Sequence, residues 1–213
     1  MTTKEETRIV MPLFSKVVCV NKLKLPHKKI DKLIDHVFVR AEQKLPEDPK
    51  NMTSYTVDKN ILDQEKFSFL KKIITKEFNF YVKQILRYEQ KFKITTSWFT
   101  KTEKGEESSF HNHRNSFISC ILYIDVDEKS GPLSFIDYNN NKMFQLLPKE
   151  YNNFNSELTR IQPEKGMIIF FPSEMYHKVN THESNRSRIS LACNFIPDQS
   201  IEDISKDNFL HFF

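Results

Sequence analysis

Between Phe92 and Pro197 the chain is cut into short apolar runs separated by polar turns, and this texture narrows the possible folds more than any other feature. Lys93 to Thr102, Ser116 to Asp127, Pro132 to Tyr138, Glu157 to Ile161, Met167 to Phe171 and Ser187 to Ile196 have strand length and are rich in β-branched and aromatic residues. Several strands at this spacing predict a β-sandwich or barrel. The three glycines of the protein, Gly105, Gly131 and Gly166, all fall in this half, each at a turn before a strand, where backbone freedom is needed.

The first 91 residues have a different rhythm. Arg8 to Val20 is expected to enter the fold as a strand interrupted by Pro12. Pro26 opens a segment with Ile30, Leu33, Ile34, Val37 and Ala41 at helical spacing, and Pro46 to Thr56 reads as polar and irregular. In a second amphipathic segment Leu70, Ile73, Ile74, Tyr81, Ile85 and Tyr88 form one side, while Lys71, Lys72, Lys76, Lys83 and Arg87 form a solvated face around the other. A chain of 213 residues accommodates one domain. The expected architecture is mostly β with flanking helices: a strand and supporting helices over 1–91, a β core over 92–197, and a tail over 198–213 whose apolar end docks on the globule or on a neighbour.

Composition restricts partners. The balance of 32 basic and 28 acidic residues, net +4, makes no demand for nucleic acid. No window approaches the ~18 consecutive apolar residues of a membrane span. Cys19, Cys120 and Cys193 are odd in number, far apart and set among aliphatic residues, which predicts reduced thiols and a cytoplasmic protein.

Within the β half, two histidines stand one residue apart at the mouth of an apolar run. Residues i and i+2 of a strand point the same way, so His111 and His113 can present both imidazoles to one point. His177 is the expected third ligand; Asp125 or Asp137 could replace His113, and His182 is a rival placed in what reads as a mobile loop. Three protein ligands leave coordination positions open on iron, zinc or copper. Parity puts Ser119, Ile121, Tyr123 and Asp125 on one face of their strand, opposite Cys120, Leu122, Ile124 and Val126. In the last long strand Arg188, Ser190, Ala192 and Asn194 oppose Ile189, Leu191, Cys193 and Phe195. An arginine among small residues is expected to line a cavity, where Arg188 and Ser190 can bind a carboxylate.

The order of His111-x-His113, Ser116 to Ile124, Gly131-Pro132-Leu133, Gly166, Ile168 to Ser173, His177, Arg188-Ile189-Ser190 and Asn194-Phe195 resembles the iron(II)- and 2-oxoglutarate-dependent oxygenases, in particular a phage and marine bacterial branch, over roughly Trp98 to Pro197. The resemblance implies a double-stranded β-helix, or distorted jelly roll. It implies His111 and His177 as metal ligands, Arg188 and Ser190 on the distal carboxylate of 2-oxoglutarate, and Tyr123 assisting; His113 is the preferred third ligand of the catalytic centre because its spacing matches the motif. Fe(II) would be the cofactor and 2-oxoglutarate the small-molecule co-substrate, with hydroxylation of a peptidyl residue such as proline, or of a small metabolite, as the reaction. A cupin-type sensor that binds metal and ligand without turnover is the alternative. The chain departs from the superfamily where His-x-Asp or His-x-Glu becomes His111-Asn112-His113, and from the branch's Ser-Gly at Ser119-Cys120, a packing change.

Overall fold

The structure is a computed structural model that describes residues 11–34, 38–39, 53–138, 146–152, 154–198, 201–202 and 209–210. In chain order the elements are β1 (Cys19–Lys22), α1 (His27–Ile34), β2 (Phe38–Val39), β3 (Thr53–Thr56), two 3₁₀ turns (Ile61–Asp63, Glu65–Phe67), α2 (Ser68–Phe80) running into a π-turn (Tyr81–Ile85), β4 (Phe92–Thr102), β5 (Ile118–Asp125), β6 (Leu133–Ile136), β7 (Leu158–Ile161), β8 (Met167–Pro172), β9 (Tyr176–Val179), β10 (Arg188–Pro197), β11 (Ile201–Glu202) and β12 (Phe209–Leu210).

Seven strands form a major sheet in the order β1-β8-β5-β10-β4-β3-β2, and β7-β6-β9 form a minor sheet. Their pairings are antiparallel throughout. The two sheets close on Ile121, Tyr123, Leu133, Phe135, Met167, Ile169 and Phe171, which pack as one buried cluster. This is the double-stranded β-helix. Gly166 makes the turn into β8 with φ +82°, and a Cβ there would lie 2.3 Å from the Leu23 carbonyl oxygen, so only glycine fits.

The other face of the major sheet carries the helices. Alternation sends Cys120, Leu122 and Ile124 of β5 and Leu191, Cys193 and Phe195 of β10 outward, where they meet Phe67, Leu70, Ile74, Phe78, Tyr81 and Val82. Phe78 stacks on Phe195 with ring centroids 3.8 Å apart and meets Phe92 and Phe170 edge-on. Cys120 faces Cys193 across the strand pair, both buried as free thiols, so the residue that replaces the branch's glycine is core packing. Among the described residues no helix is long and apolar enough to cross a membrane.

The structure corrects several expectations in the N-terminal half. The first strand is the short β1, and residues 11–18 of the expected Arg8 to Val20 strand are irregular; 8–10 lie outside the described residues. Helix α1 ends at Ile34 and the chain is extended again at Phe38–Val39, so apolar spacing there continued into a strand and mimicked a longer helix. Val37 and Ala41 lie outside the described residues. Thr53–Thr56, expected to be irregular, is β3, recruited by pairing with β4. Ile85 and Tyr88 are exposed, because the π-turn at Tyr81–Ile85 rotates the later residues off the buried face. Strand β9, which carries His177, was not expected as a strand, since Tyr-His-Lys-Val is too short and polar to announce one. The tail contains β11 paired with β12; the docking of its apolar end lies outside the described residues.

Phe78 is 2% exposed and joins α2 to three strands, so Phe78→Ala is expected to cost ~3–5 kcal/mol. Urea unfolding of the purified variant beside wild type measures this as a lower midpoint at unchanged slope.

Candidate metal centre

His111 and His177 face each other across an isolated antiparallel bridge, with His111 N–H donating to the His177 carbonyl at 3.0 Å and His177 N–H returning to the His111 carbonyl at 2.9 Å. His113 N–H donates to the Ser173 carbonyl at 2.9 Å, which ties the His111-Asn112-His113 segment to the end of β8. The pair thus lies ahead of β5 and outside it, held by backbone bonds to the neighbouring strands. The i, i+2 argument nevertheless holds locally: the His111 and His113 ring centroids are 5.4 Å apart with 29° between planes. His177, 2% exposed, completes the triangle at 4.4 Å from His111 and 5.0 Å from His113.

One potential ligand atom from each ring lies within 4.8 Å of the other two. Among the described residues this is the one cluster of three or more His, Cys, Asp or Glu of that kind, and no carboxylate belongs to it. Asp125 is engaged at the rim by Arg186 at 2.8 and 2.9 Å and by Lys165 at 3.1 Å, and Asp137 follows β6. His182 is also corrected: it is 1% exposed, and its Nε2 is 2.6 Å from the Arg186 carbonyl oxygen, so it braces the turn before β10. Burial holds His113 down to about pKa 4 and His177 to about 3, so both imidazoles are neutral at pH 7 and offer a lone pair.

Each ring is gripped from behind. His111 Nδ1 is 2.8 Å from the Ser109 carbonyl oxygen and His177 Nδ1 is 2.9 Å from the Met175 carbonyl oxygen. His113 Nδ1 lies 2.7 Å from Asn194 Oδ1 and 2.8 Å from Ser119 Oγ. Such contacts place the proton on Nδ1 and leave Nε2 to a metal. Sequence parity had put Ser119 and Asn194 on the cavity faces of their strands without assigning them a task; contacts between residues 81 apart become visible only in the fold.

The barrel also encloses a buried cationic pocket, linked to the histidines through the cluster that contains both Tyr123 and Phe171, the latter with its ring centroid 4.8 Å from that of His177. Arg188 is 1% exposed at the start of β10. Its Nη1 donates one long bond of 3.4 Å to Ser190 Oγ, and its guanidinium carbon sits 5.1 Å from the Tyr123 ring centroid. Arg188 Nε and Nη2, Tyr123 Oη and Thr102 Oγ1 are buried without a partner. Thr102 sits directly across from Arg188 in the β4–β10 pairing, a neighbour that strand pairing alone reveals. A cation removed from water without a counter-charge is costly, so the pocket has the chemistry of an anion site, with a guanidinium and two hydroxyls to hold a carboxylate. The residues present therefore fit both the metal and the diacid: three imidazoles for the ion, and a guanidinium with two unpartnered nitrogens for the far carboxylate. On the other side of His113, Trp98 stands 5.9 Å away between ring centroids, with the Lys59 ammonium 5.6 Å from it and 4.9 Å from Tyr55.

Residues 96–194 match the family described as "Putative 2OG-Fe(II) oxygenase". No curated protein matches the sequence. Among solved structures the chain is similar to a Pseudomonas putida prolyl-4-hydroxylase, 17% identical over 86% of this chain and 94% of that one, TM-score 0.56. It is similar to HygX from Streptomyces hygroscopicus, solved with nickel and 2-oxoglutarate bound, at 9% identity over 92% of each chain, TM-score 0.56. A prolyl hydroxylase from Trichoplax adhaerens, in complex with a hypoxia inducible factor oxygen degradation domain peptide, aligns at 11% identity over 84% of this chain and 83% of that one, TM-score 0.57. These likenesses establish a common fold, and the family match supplies Fe(II) as cofactor and 2-oxoglutarate as co-substrate. Residues 96–194, which carry His111, His113, His177, Tyr123, Arg188 and Ser190, thus match the iron(II)- and 2-oxoglutarate-dependent oxygenase family.

Proposed function

We propose that this oxygenase hydroxylates a peptidyl residue such as proline, with His111, His113 and His177 holding the iron and Arg188, Ser190 and Tyr123 holding 2-oxoglutarate. The observation that carries the reading is the buried Arg188, two of whose nitrogens have no partner, in the same barrel as the three-histidine cluster. When bound, Fe(II) and 2-oxoglutarate supply the oxidation of an unactivated C–H bond by dioxygen, the diacid leaving as succinate and carbon dioxide. The protein's share is orientation and exclusion of water. Arg188 fixes one end of the diacid, so its other end reaches toward the histidines. Tyr123 Oη and Ser190 Oγ add hydrogen bonds that a shorter or uncharged acid would leave unmade. Ile121, Leu133, Phe135, Ile169 and Phe171 wall the interior with apolar surface, which keeps solvent from the reacting carbon. The peptide reading draws on the prolyl hydroxylases among the similar folds, one of them bound to a peptide fragment. The free thiols of Cys19, Cys120 and Cys193 fit a reducing cytoplasm.

Anaerobic addition of 2-oxoglutarate to the iron-loaded protein is expected to produce the visible absorption of a metal chelate, and oxygen should then release succinate. A chelate band without succinate, across a panel of proline-containing peptides, would leave a binding protein that does not turn over. Arg188→Met leaves the metal site intact and is expected to weaken 2-oxoglutarate at least ~30-fold, the cost of truncating one side of a buried charge pair. Equilibrium titration of the chelate band measures it.

Three neutral ligands leave the charge of the ion uncompensated until the dianion arrives. Mn(II) affinity is therefore expected to rise in the presence of 2-oxoglutarate, and 2-oxoglutarate affinity to rise by the same factor with Mn(II). Calorimetric titrations in both orders check the equality.

The depressed histidines also fix the sign of a pH dependence. Above pH ~6.5 they are neutral both folded and unfolded. Below it the unfolded chain takes up protons that the folded chain refuses until about pH 4 for His113 and about 3 for His177. The metal-free protein should thus lose stability as pH falls from 6.5 toward 4. Melting curves across that window test this, and His177→Gln should flatten the slope.

A further inference from the structure

The three rings are not supported alike. His111 and His177 each rest on a backbone carbonyl two residues earlier, contacts that no side-chain substitution removes. His113 rests on side chains from two other strands, Ser119 of β5 and Asn194 of β10. Those side chains form one connected set: Ser119 Oγ donates to Asn194 Oδ1 at 2.9 Å, Ser119 and Ser173 share a hydroxyl bond of 2.8 Å, and Asn194 Nδ2 donates to Thr96 Oγ1 at 3.0 Å. Ser119 and Ser173 are fully buried and Asn194 is 8% exposed. The β4–β10 register shifts just after Asn194, where β4 carries one extra residue, Thr95, whose hydroxyl donates to the Asn194 carbonyl at 3.3 Å.

We infer that Asn194, through this network with Ser119, Ser173 and Thr96, is the positioning residue that makes His113 a metal ligand; the inference rests on the three-histidine reading proposed above. A carboxylate ligand needs no partner behind it to select a tautomer, whereas an imidazole does. If Nδ1 is the acceptor, the proton moves to Nε2 and the nitrogen facing the centre has no lone pair to give. Asn194 Oδ1, receiving the ring N–H and the Ser119 hydroxyl together, holds the proton on Nδ1. Its neutral amide does so without adding a charge beside the metal. Ser173 acts twice, since its backbone carbonyl holds the His113 amide while its hydroxyl bonds Ser119, so the residue just after β8 holds the His113 backbone directly and its ring through Ser119. Trp98 and Phe171 flank the same ring at 5.9 and 6.4 Å, which leaves the hydrogen bond to select the ring's orientation within an aromatic slot.

Trp98 is the sole tryptophan, and its place beside His113 makes its fluorescence a local reporter of Co(II) binding. Co(II) titrations of wild type, Asn194→Leu, Asn194→Asp, Ser119→Ala and His113→Ala, each shown folded by circular dichroism, form the test. Asn194→Leu removes the acceptor at similar volume and is expected to weaken Co(II) 10–100-fold, the range for losing a supporting hydrogen bond behind a ligand. Asn194→Asp keeps an acceptor oxygen and should restore affinity to within a few-fold, while Ser119→Ala, leaving Asn194 in place, should cost less than Asn194→Leu. Nitrogen NMR of the metal-free proteins should find His113 protonated at Nδ1 in wild type and in Asn194→Asp, and a mixture of tautomers in Asn194→Leu, a change that mere loosening of the strand would not produce. A folded Asn194→Leu protein with wild-type Co(II) affinity and an unchanged His113 tautomer overturns the inference. If His113→Ala also binds Co(II) as wild type does, it is the three-histidine reading that fails, and with it the ground for the positioning role.

Discussion

A guanidinium enclosed in a barrel with two of its nitrogens unsatisfied is the constraint on which the rest of this structure turns. Arg188 is sealed from solvent where it stands, and among the described residues two of its nitrogens find no partner. Such a group is retained when its partner is a ligand that comes and goes. The surrounding architecture serves that arrangement. Strands β4, β5 and β10 bring Thr102, Tyr123 and Ser190 around the cation, and the same β10 carries Asn194 six residues further on to the histidines. One strand therefore carries both groups on the same face, Arg188 at its start and Asn194 near its end. Its other face, Leu191, Cys193 and Phe195, is clamped against α2.

This two-sided use of the central strands explains the aromatic weight of the chain. A sheet whose inner face holds polar, under-satisfied groups gains little from that face, so its rigidity must come from behind. The Phe78, Phe195, Phe170 and Tyr81 stack supplies it, through contacts that tolerate little sliding. Here the phenylalanines of α2 and the sheet hold the site indirectly, by fixing the register of the strands that carry it.

What the sequence disclosed and what it concealed divide along physical lines. Strand parity is local and strict, so the faces of β5 and β10 were legible residue by residue, and with them the inward places of Tyr123, Arg188, Ser190 and Asn194. The order of His111, His113, His177 and Arg188 was legible through resemblance. Strands that exist because a neighbour pairs with them, β3 and β9, were not, since Thr-Ser-Tyr-Thr and Tyr-His-Lys-Val contain strand-forming residues but are only four residues long and lack the apolar run that marks a buried strand. The helix expected to run on to Ala41 failed for the converse reason: periodic apolar residues persist across a break that only tertiary pairing reveals. Thr102 and Ser173 were missed as site residues because hydroxyls are common in strands and only their partners across the sheet give them meaning.

The three-imidazole donor set proposed for the metal has one further consequence, for the identity of the ion. A carboxylate is the hard ligand that favours iron(II) over its competitors, and among the described residues the cluster contains none. Nitrogen-only sites follow the divalent series steeply, with copper and zinc above iron. The protein's geometry therefore does little to refuse the wrong ion. Occupancy by iron must be decided by which metals the surroundings supply and by the order in which ion and diacid arrive, so that a chain folded in a zinc-rich medium would be well formed, fully loaded and catalytically silent.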